Sequence, residues 1–166
     1  MRSAKWLLVM AVVSVIALGA CGGSDDKGDS KALTKDELIE KGDAICDDYD
    51  TATREIEFPD LPAGGQLDDL DDDQLEALSK YIGENIKVFS NQLDDLDALV
   101  PPSDLEKDWD ALIDDLEEMK SAFEAGHAAV DDRDQEAFDS FDAEIAKLGS
   151  AASAKAEDLG FETCGQ

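Results

Sequence analysis

Several residue types are scarce in this chain of 166 residues. Aromatic residues make up 6% of it, and Lys and Arg total 14 against 42 Asp and Glu, for a formal net charge of −28. So few basic residues argue against nucleic-acid binding and against electrostatic docking on anionic lipid headgroups, since both need clustered Lys and Arg. Cations, basic proteins and basic peptides stay open as partners, beside the simpler interpretation that the charge serves solubility.

Catalytic motifs are also missing from the sequence. It contains no HExxH, GxSxG, P-loop or GxGxxG pattern, each of which would signal a particular chemistry. The single histidine, His127, lies near the end of the third predicted helix, where it would be exposed or favoured by the helix dipole. Cys and His are too few for a structural zinc site. The sequence therefore predicts no enzyme and no cofactor, and an enzyme working through carboxylates is the weakest alternative.

The N-terminus has the three parts of an export signal. Residues 1–5 are short and basic, and residues 6–18 are apolar but too short for a comfortable membrane span. They end in Leu18-Gly19-Ala20-Cys21, which resembles the lipobox of bacterial lipoproteins. The resemblance implies cleavage between Ala20 and Cys21 and a diacylglyceryl thioether on Cys21. The acyl chains, such as palmitate, would then hold the protein on the extracytoplasmic face of the cell membrane. An ordinary secretory peptide with a coincidental cysteine is the alternative.

The organisation that follows is a signal peptide over residues 1–20, a lipidated flexible tether over 21–33, and one domain over 34–166. Four segments of this domain carry apolar residues at the three- and four-residue spacing of a helix face. Thr34 with Glu37, and Ser103 with Glu106, have the capping-box pattern that begins helices 1 and 3. In helix 1 the predicted core-facing stripe consists of Leu38, Gly42, Ile45, Tyr49, Ala52 and Ile56.

Short connections force neighbouring helices to run antiparallel, so the pattern predicts an all-α, up-down-up-down four-helix bundle. A bundle with one broken or splayed helix is the main alternative. Glycines inside the predicted helices weaken them relative to alanine and mark bends or close helix contacts. These glycines are Gly42, Gly83, Gly126 and Gly149.

The cysteine count becomes even once Cys21 carries lipid. The chain has three cysteines, and the remaining Cys46 and Cys164 should oxidise to a disulfide outside the cell. In an up-down bundle the end of helix 4 returns to the end where helix 1 begins, so the two thiols can meet. A redox role would normally show CxxC spacing, which is absent, so we interpret the pair as structural.

The mature part is similar to small helical lipoproteins of actinobacteria. The features that carry the likeness are Ala44-Ile45-Cys46 in helix 1, Pro101-Pro102 before helix 3, and the closing segment over residues 160–165. That group has no assigned activity, so the resemblance supports the architecture alone.

Acidic residues concentrate where the bundle should lie farthest from the lipid. Asp69, Asp71 and Asp73 begin like an EF-hand calcium loop, but the sixth and twelfth positions are Gln74 and Lys80, so that motif fails. A looser hypothesis is weak Ca²⁺ binding where two connections meet, against the simpler interpretation that the acids cap helices 2 and 4. The weak metal candidates are Asp71, Asp73, Asp131, Asp132 and Asp134.

The sequence thus favours a non-catalytic, lipid-anchored protein of the cell envelope with a binding or structural role. The first alternative is binding of divalent cations or of a basic envelope protein through the acidic, membrane-distal end.

Overall fold

The computed structural model describes residues 31–62 and 66–164. The elements are α1 (Lys35–Arg54), a 3₁₀ turn (Leu67–Asp69), α2 (Asp72–Asp97), α3 (Glu106–Asp131) and α4 (Gln135–Leu159). No strand occurs in these two ranges, and helices that follow one another in the chain pack together, α3 on α4 most extensively. The predicted all-α four-helix bundle is confirmed. The predicted signal peptide, the lipobox and residues 21–30 of the tether lie outside the described residues.

The first helix begins as the sequence predicts. Thr34 Oγ1 accepts a hydrogen bond from the Glu37 N–H at 3.3 Å, and Glu37 Oε2 accepts one from the Thr34 N–H at 2.8 Å. The bonds from the Thr34 backbone and side chain lower the pKa of Glu37 below its usual 4.5. Asp71 and Gln74 form an equivalent box at the start of α2, with bonds of 2.9 and 3.1 Å. At the other end of the chain, Gly160 ends α4 with a φ of 104°, which is the left-handed conformation that glycine favours.

The predicted capping box of α3 is wrong. The helix begins at Glu106, its N-cap position is Leu105, and no side chain there accepts a capping hydrogen bond. The reason lies in the two prolines that precede it. The Leu105 N–H donates to the Pro102 carbonyl at 2.9 Å, so residues 103–105 form a turn first. Glu106 is consequently the first residue of the helix rather than the third, and it cannot reach back to Ser103.

Two apolar clusters fill the interior. The larger one joins all four helices around Trp109, Phe89 and Leu38. The smaller one lies at the end where α2 begins and α3 ends, and it consists of Leu67, Leu70, Leu75, Leu78, Ile82 and Val130. The 3₁₀ turn supplies Leu67 and Leu70 to this cluster. The connection between α1 and α2, which the sequence marks only as a loop, therefore adds to the core.

The buried face of α1 is narrower than the sequence predicts. Only Leu38, Gly42 and Cys46 of this helix are buried, whereas Ile45, Tyr49 and Ala52 stay half-buried. Ile56 lies beyond the end of the helix at Arg54. The physical reason is that α1 has one main neighbour, α2, which it contacts less extensively than α3 contacts its neighbours, and it has few close approaches to α4. A helix with one close neighbour buries a narrow strip, not the wide face of a fully enclosed helix.

The helix glycines divide into close contacts and open positions. A Cβ built on Gly42 would lie 2.3 Å from the Phe161 ring, and one built on Gly126 would lie 2.6 Å from the Phe141 ring. A Cβ built on Gly83 would make ordinary van der Waals contact with His127, and one built on Gly149 would have no neighbour within 4 Å. Two of the four positions are thus close contacts, in which an aromatic ring occupies the space that a Cβ would need.

We predict opposite effects for alanine at two of these glycines. Gly42→Ala should destabilise the protein by about 1–2 kcal/mol, because overpacking against the buried Phe161 outweighs the gain in helix propensity. Gly149→Ala should stabilise it by up to about 1 kcal/mol, because the new methyl group meets no neighbour. Urea unfolding of both variants beside the wild type measures the difference. Equal shifts in the two variants would contradict the packing assigned to Phe161.

Candidate functional site

The C-terminal tail, residues 160–164, fastens α4 to α1. Cys46 and Cys164 form a disulfide with a Cα–Cα distance of 5.2 Å across a sequence separation of 118 residues, as predicted. Phe161 is buried between Gly42 and Trp109, and its ring centre lies 5.9 Å from that of the indole. The tail therefore occupies the space where α1 and α4 would otherwise meet.

Asp43 is a part of this fastening that the sequence analysis missed. Its carboxylate accepts hydrogen bonds from the backbone N–H groups of Glu162, Thr163 and Cys164, at 3.1, 2.8 and 3.4 Å. These groups lie just past the end of α4, where a chain has no helical partners. The available signal was the position of Asp43 one helical turn before Cys46, which places both residues on neighbouring parts of one face.

Several acidic residues at the end of the bundle where α2 begins and α3 ends have structural partners. Asp71 caps α2, and Asp134 accepts from the Ala137 N–H at 3.0 Å and caps α4. Arg133 pairs with Asp72, and Gln135 Oε1 accepts from the Leu67 N–H at 2.7 Å. The two connections therefore meet at this end, as the sequence predicts, and they are joined by capping and pairing.

The five weak metal candidates do not converge on a common point. Asp73 lies in the first turn of α2, Asp131 is the last residue of α3, and Asp132 is its C-cap. Over residues 31–62 and 66–164, no group of three or more His, Cys, Asp and Glu side chains is arranged to hold a metal ion. The cation hypothesis stays a prediction without geometric support in this part of the chain.

The histidine has a partner that the sequence analysis did not foresee. The Ser79 hydroxyl lies 2.9 Å from His127 Nε2 and 2.7 Å from Asp131 Oδ1. A hydroxyl has one proton, and Ser79 donates it to Asp131, while the direction of the bond between Ser79 and His127 Nε2 depends on the imidazole tautomer. The serine is a bridge between α2 and α3. A serine nucleophile would instead donate its proton to the imidazole.

An open groove runs between α1 and α2 on the outside of the bundle. It consists of two adjoining cavities of about 590 and 200 Å³ that share Ala52 and Val88. We call it the α1–α2 groove. Its lining residues are Ile45, Asp48, Tyr49, Ala52, Glu55, Ile56, Glu57, Pro59, Ala77, Lys80, Tyr81, Glu84, Val88, Asn91, Gln92 and Asp95.

The groove combines an apolar floor with an acidic rim. The floor is the half-buried face of α1 described above, together with Tyr81 and Val88 of α2. Among the lining residues are five carboxylates and one ammonium group, and Lys80 Nζ lies 3.8 Å from Glu84 Oε1. An arrangement of this kind suits a ligand that has both an apolar surface and positive charge.

Comparison with protein-family models, with curated proteins and with solved structures finds no match to this chain. The described helices include none that is both long and apolar enough to cross a membrane.

The disulfide should supply much of the stability of the fold. Because it joins residues 118 positions apart, loop-closure entropy predicts that its loss costs about 4–5 kcal/mol. Urea unfolding with and without a thiol reductant measures this, and Cys164→Ser gives the same comparison without reductant. A midpoint that does not change on reduction would contradict this role.

Tyr49 gives a pH-dependent test of the groove floor. Burial raises the pKa of Tyr49 above its usual 10.0, and the nearby Asp50 adds to the effect. Ionisation therefore occurs more readily in the unfolded chain, so this contribution to stability is complete below pH 10.0 and is lost as the pH rises above it. Between about pH 8 and about pH 11, the wild type should lose more stability than Tyr49→Phe, measured by urea midpoints. Equal losses of stability in the wild type and in Tyr49→Phe would indicate that the Tyr49 hydroxyl is exposed to water in the folded protein.

Proposed function

We propose that this protein is a non-catalytic, lipid-anchored component of the cell envelope, held on the extracytoplasmic face of the membrane, and that it acts by binding. The observation that carries the proposal is the disulfide between Cys46 and Cys164. Disulfides persist in oxidising compartments outside the cytosol. Of the three cysteines in the chain, this pairing leaves Cys21, which is the one that lipidation would use.

The anchor gives the bundle an orientation in this proposal. The Leu33 N–H donates to the Val100 carbonyl at 2.8 Å, which fixes the start of the chain's described part at the end where α1 begins and α2 ends. That end would face the membrane. The opposite end, where Leu67 contacts Gln135, would face outward on the tether over residues 21–33.

A binding role is supported by two features of the described residues. The Ser79 hydroxyl donates to a carboxylate instead of to the imidazole, so the serine and histidine act as a link between helices. The α1–α2 groove, in contrast, is open, elongated and lined by mixed apolar and acidic groups. Of the two alternatives at the acidic end, the basic partner is favoured over the divalent cation, because the groove extends the same acidic surface.

Lipidation of Cys21 is tested by Cys21→Ser. The wild-type protein should be recovered with membranes, and its N-terminal peptide should begin at a cysteine that carries a diacylglyceryl mass. The serine variant has no thiol to accept the lipid, so it should appear in the soluble fraction or keep its first 20 residues.

Ser24→Ala, a matched change three residues after Cys21, serves as the control, and this variant should stay with the membrane. The anchor would be refuted by a wild-type chain that starts at Met1, or by an unmodified Cys21 on a protein free in the medium.

A further inference from the structure

The α1–α2 groove is an uncovered apolar face. Ile45, Tyr49 and Ala52 have the spacing of a core-facing stripe, yet each stays half-buried. On the facing helix, Tyr81 and Val88 are also half-buried. Partial exposure of several apolar side chains on both walls of one groove is typical of a surface that another molecule covers.

Tyr81, which lines the groove, is in contact with Phe58, an aromatic side chain just outside the lining. The ring centres of Phe58 and Tyr81 lie 5.1 Å apart in an edge-to-face arrangement. Of the large apolar side chains in the described residues, Phe58 is the only one that is mostly exposed, with 64% of its surface accessible. An aromatic side chain in water at the edge of a groove can anchor a ligand, because it gains apolar burial without a large loss of conformational freedom.

Charge decides which ligand the groove fits. Five of the lining residues are acidic, and they are Asp48, Glu55, Glu57, Glu84 and Asp95. The only basic lining residue, Lys80, already lies beside Glu84. A second copy of the chain would add another −28, so repulsion opposes self-association. An acidic or phosphate-bearing partner would meet the same repulsion, whereas a basic one would be attracted.

The shape of the groove indicates an elongated partner. Along α2 the lining residues run from Ala77 to Asp95, a distance of roughly 27 Å at 1.5 Å per residue. The lining residues recur every three or four positions, so the wall is one helix face. Helices bind into such grooves by placing one apolar face on the floor and charged residues along the edges.

We propose that the α1–α2 groove binds a basic amphipathic helix of an envelope partner protein. The apolar face of that helix covers the floor and contacts Phe58 and Tyr81. Its Lys and Arg side chains pair with the acidic rim, where long aliphatic stems also cover apolar surface. This inference rests on the proposed binding function and names the site and the chemistry of the partner.

The test uses a labelled peptide of about 18 residues, long enough to span the groove as a helix. It contains only Leu and Lys, arranged with Leu along one helix face. Binding is measured by fluorescence anisotropy to the chain from residue 21 onward with Cys21→Ser, exported behind an ordinary cleavable secretory signal in place of residues 1–20. It carries neither the apolar leader nor lipid, so it needs no detergent. A peptide of the same composition with the face scrambled should bind much more weakly, and added salt should weaken binding of the amphipathic peptide.

Matched charge variants locate the site. Glu55→Gln, Glu57→Gln and Glu84→Gln together should weaken binding about tenfold or more, since each rim charge contributes modestly. Three exposed glutamates on α3 and α4, Glu117, Glu118 and Glu144, serve as the control when changed to glutamine. That control alters the net charge by the same amount, and it should change affinity by less than about twofold, because charges far from the site are screened.

Phe58→Ala tests the apolar part independently. It should also weaken binding about tenfold or more, as for an aromatic anchor, while the urea midpoint stays close to the wild-type value because the side chain is exposed. The proposal is overturned if the two glutamate sets weaken binding equally, if the scrambled peptide binds as well, if the amphipathic peptide does not bind, or if sedimentation shows that a second copy fills the groove.

These outcomes are separate from those of the anchoring experiment. The peptide measurement uses a chain without lipid, so its result stands whether or not Cys21 is modified in the wild type. Failure of the peptide to bind removes the groove as a docking site and leaves the membrane anchor untouched.

Discussion

The arrangement of this bundle depends on the fastening of the C-terminal tail to α1. Helices α1 and α4 have few close approaches, so a four-helix structure would be open along that side without the tail. The tail closes it with three kinds of interaction at neighbouring positions of α1. Phe161 packs against Gly42, the Asp43 carboxylate accepts backbone N–H groups, and Cys46 is bonded to Cys164.

The position of this fastening explains where the groove lies. All three contacts involve one stretch near the middle of α1, from Gly42 to Cys46. The part of α1 after Cys46 has no equivalent attachment to residues 160–164 and ends at Arg54. Tyr49 still reaches the core through its edge-to-face contact with Phe89, but Tyr49 and Ala52 are only half-buried and line the α1–α2 groove. The contacts of the tail with the middle of α1 therefore leave the last turns of this helix available for contact with another molecule.

Local signals predicted more of this fold than of its candidate site. Hydrophobic spacing and the Thr34 capping box located the helices, and the cysteine count located the disulfide, because each depends on residues close in sequence or on one covalent pairing. The start of α3 was predicted wrongly, since a backbone hydrogen bond to Pro102 competed with capping by Ser103. The groove was not predicted at all. The spacing of Ile45, Tyr49 and Ala52 is the same whether their helix face is buried or left uncovered. Which of the two occurs depends on how closely α4 approaches α1, and the local sequence pattern carries no information about that approach.

The large negative charge and the apolar groove are compatible because they act over different distances. Apolar surfaces attract only when they come into contact, whereas exposed charges act on one another over about 8 Å, the screening length at physiological ionic strength. Two copies of the chain therefore repel one another before their grooves can touch. A basic helix experiences the opposite force over the same range, and it is drawn toward the rim before any apolar contact forms. The acidic surface would in this way protect an exposed apolar floor from self-association and also select the partner that covers it.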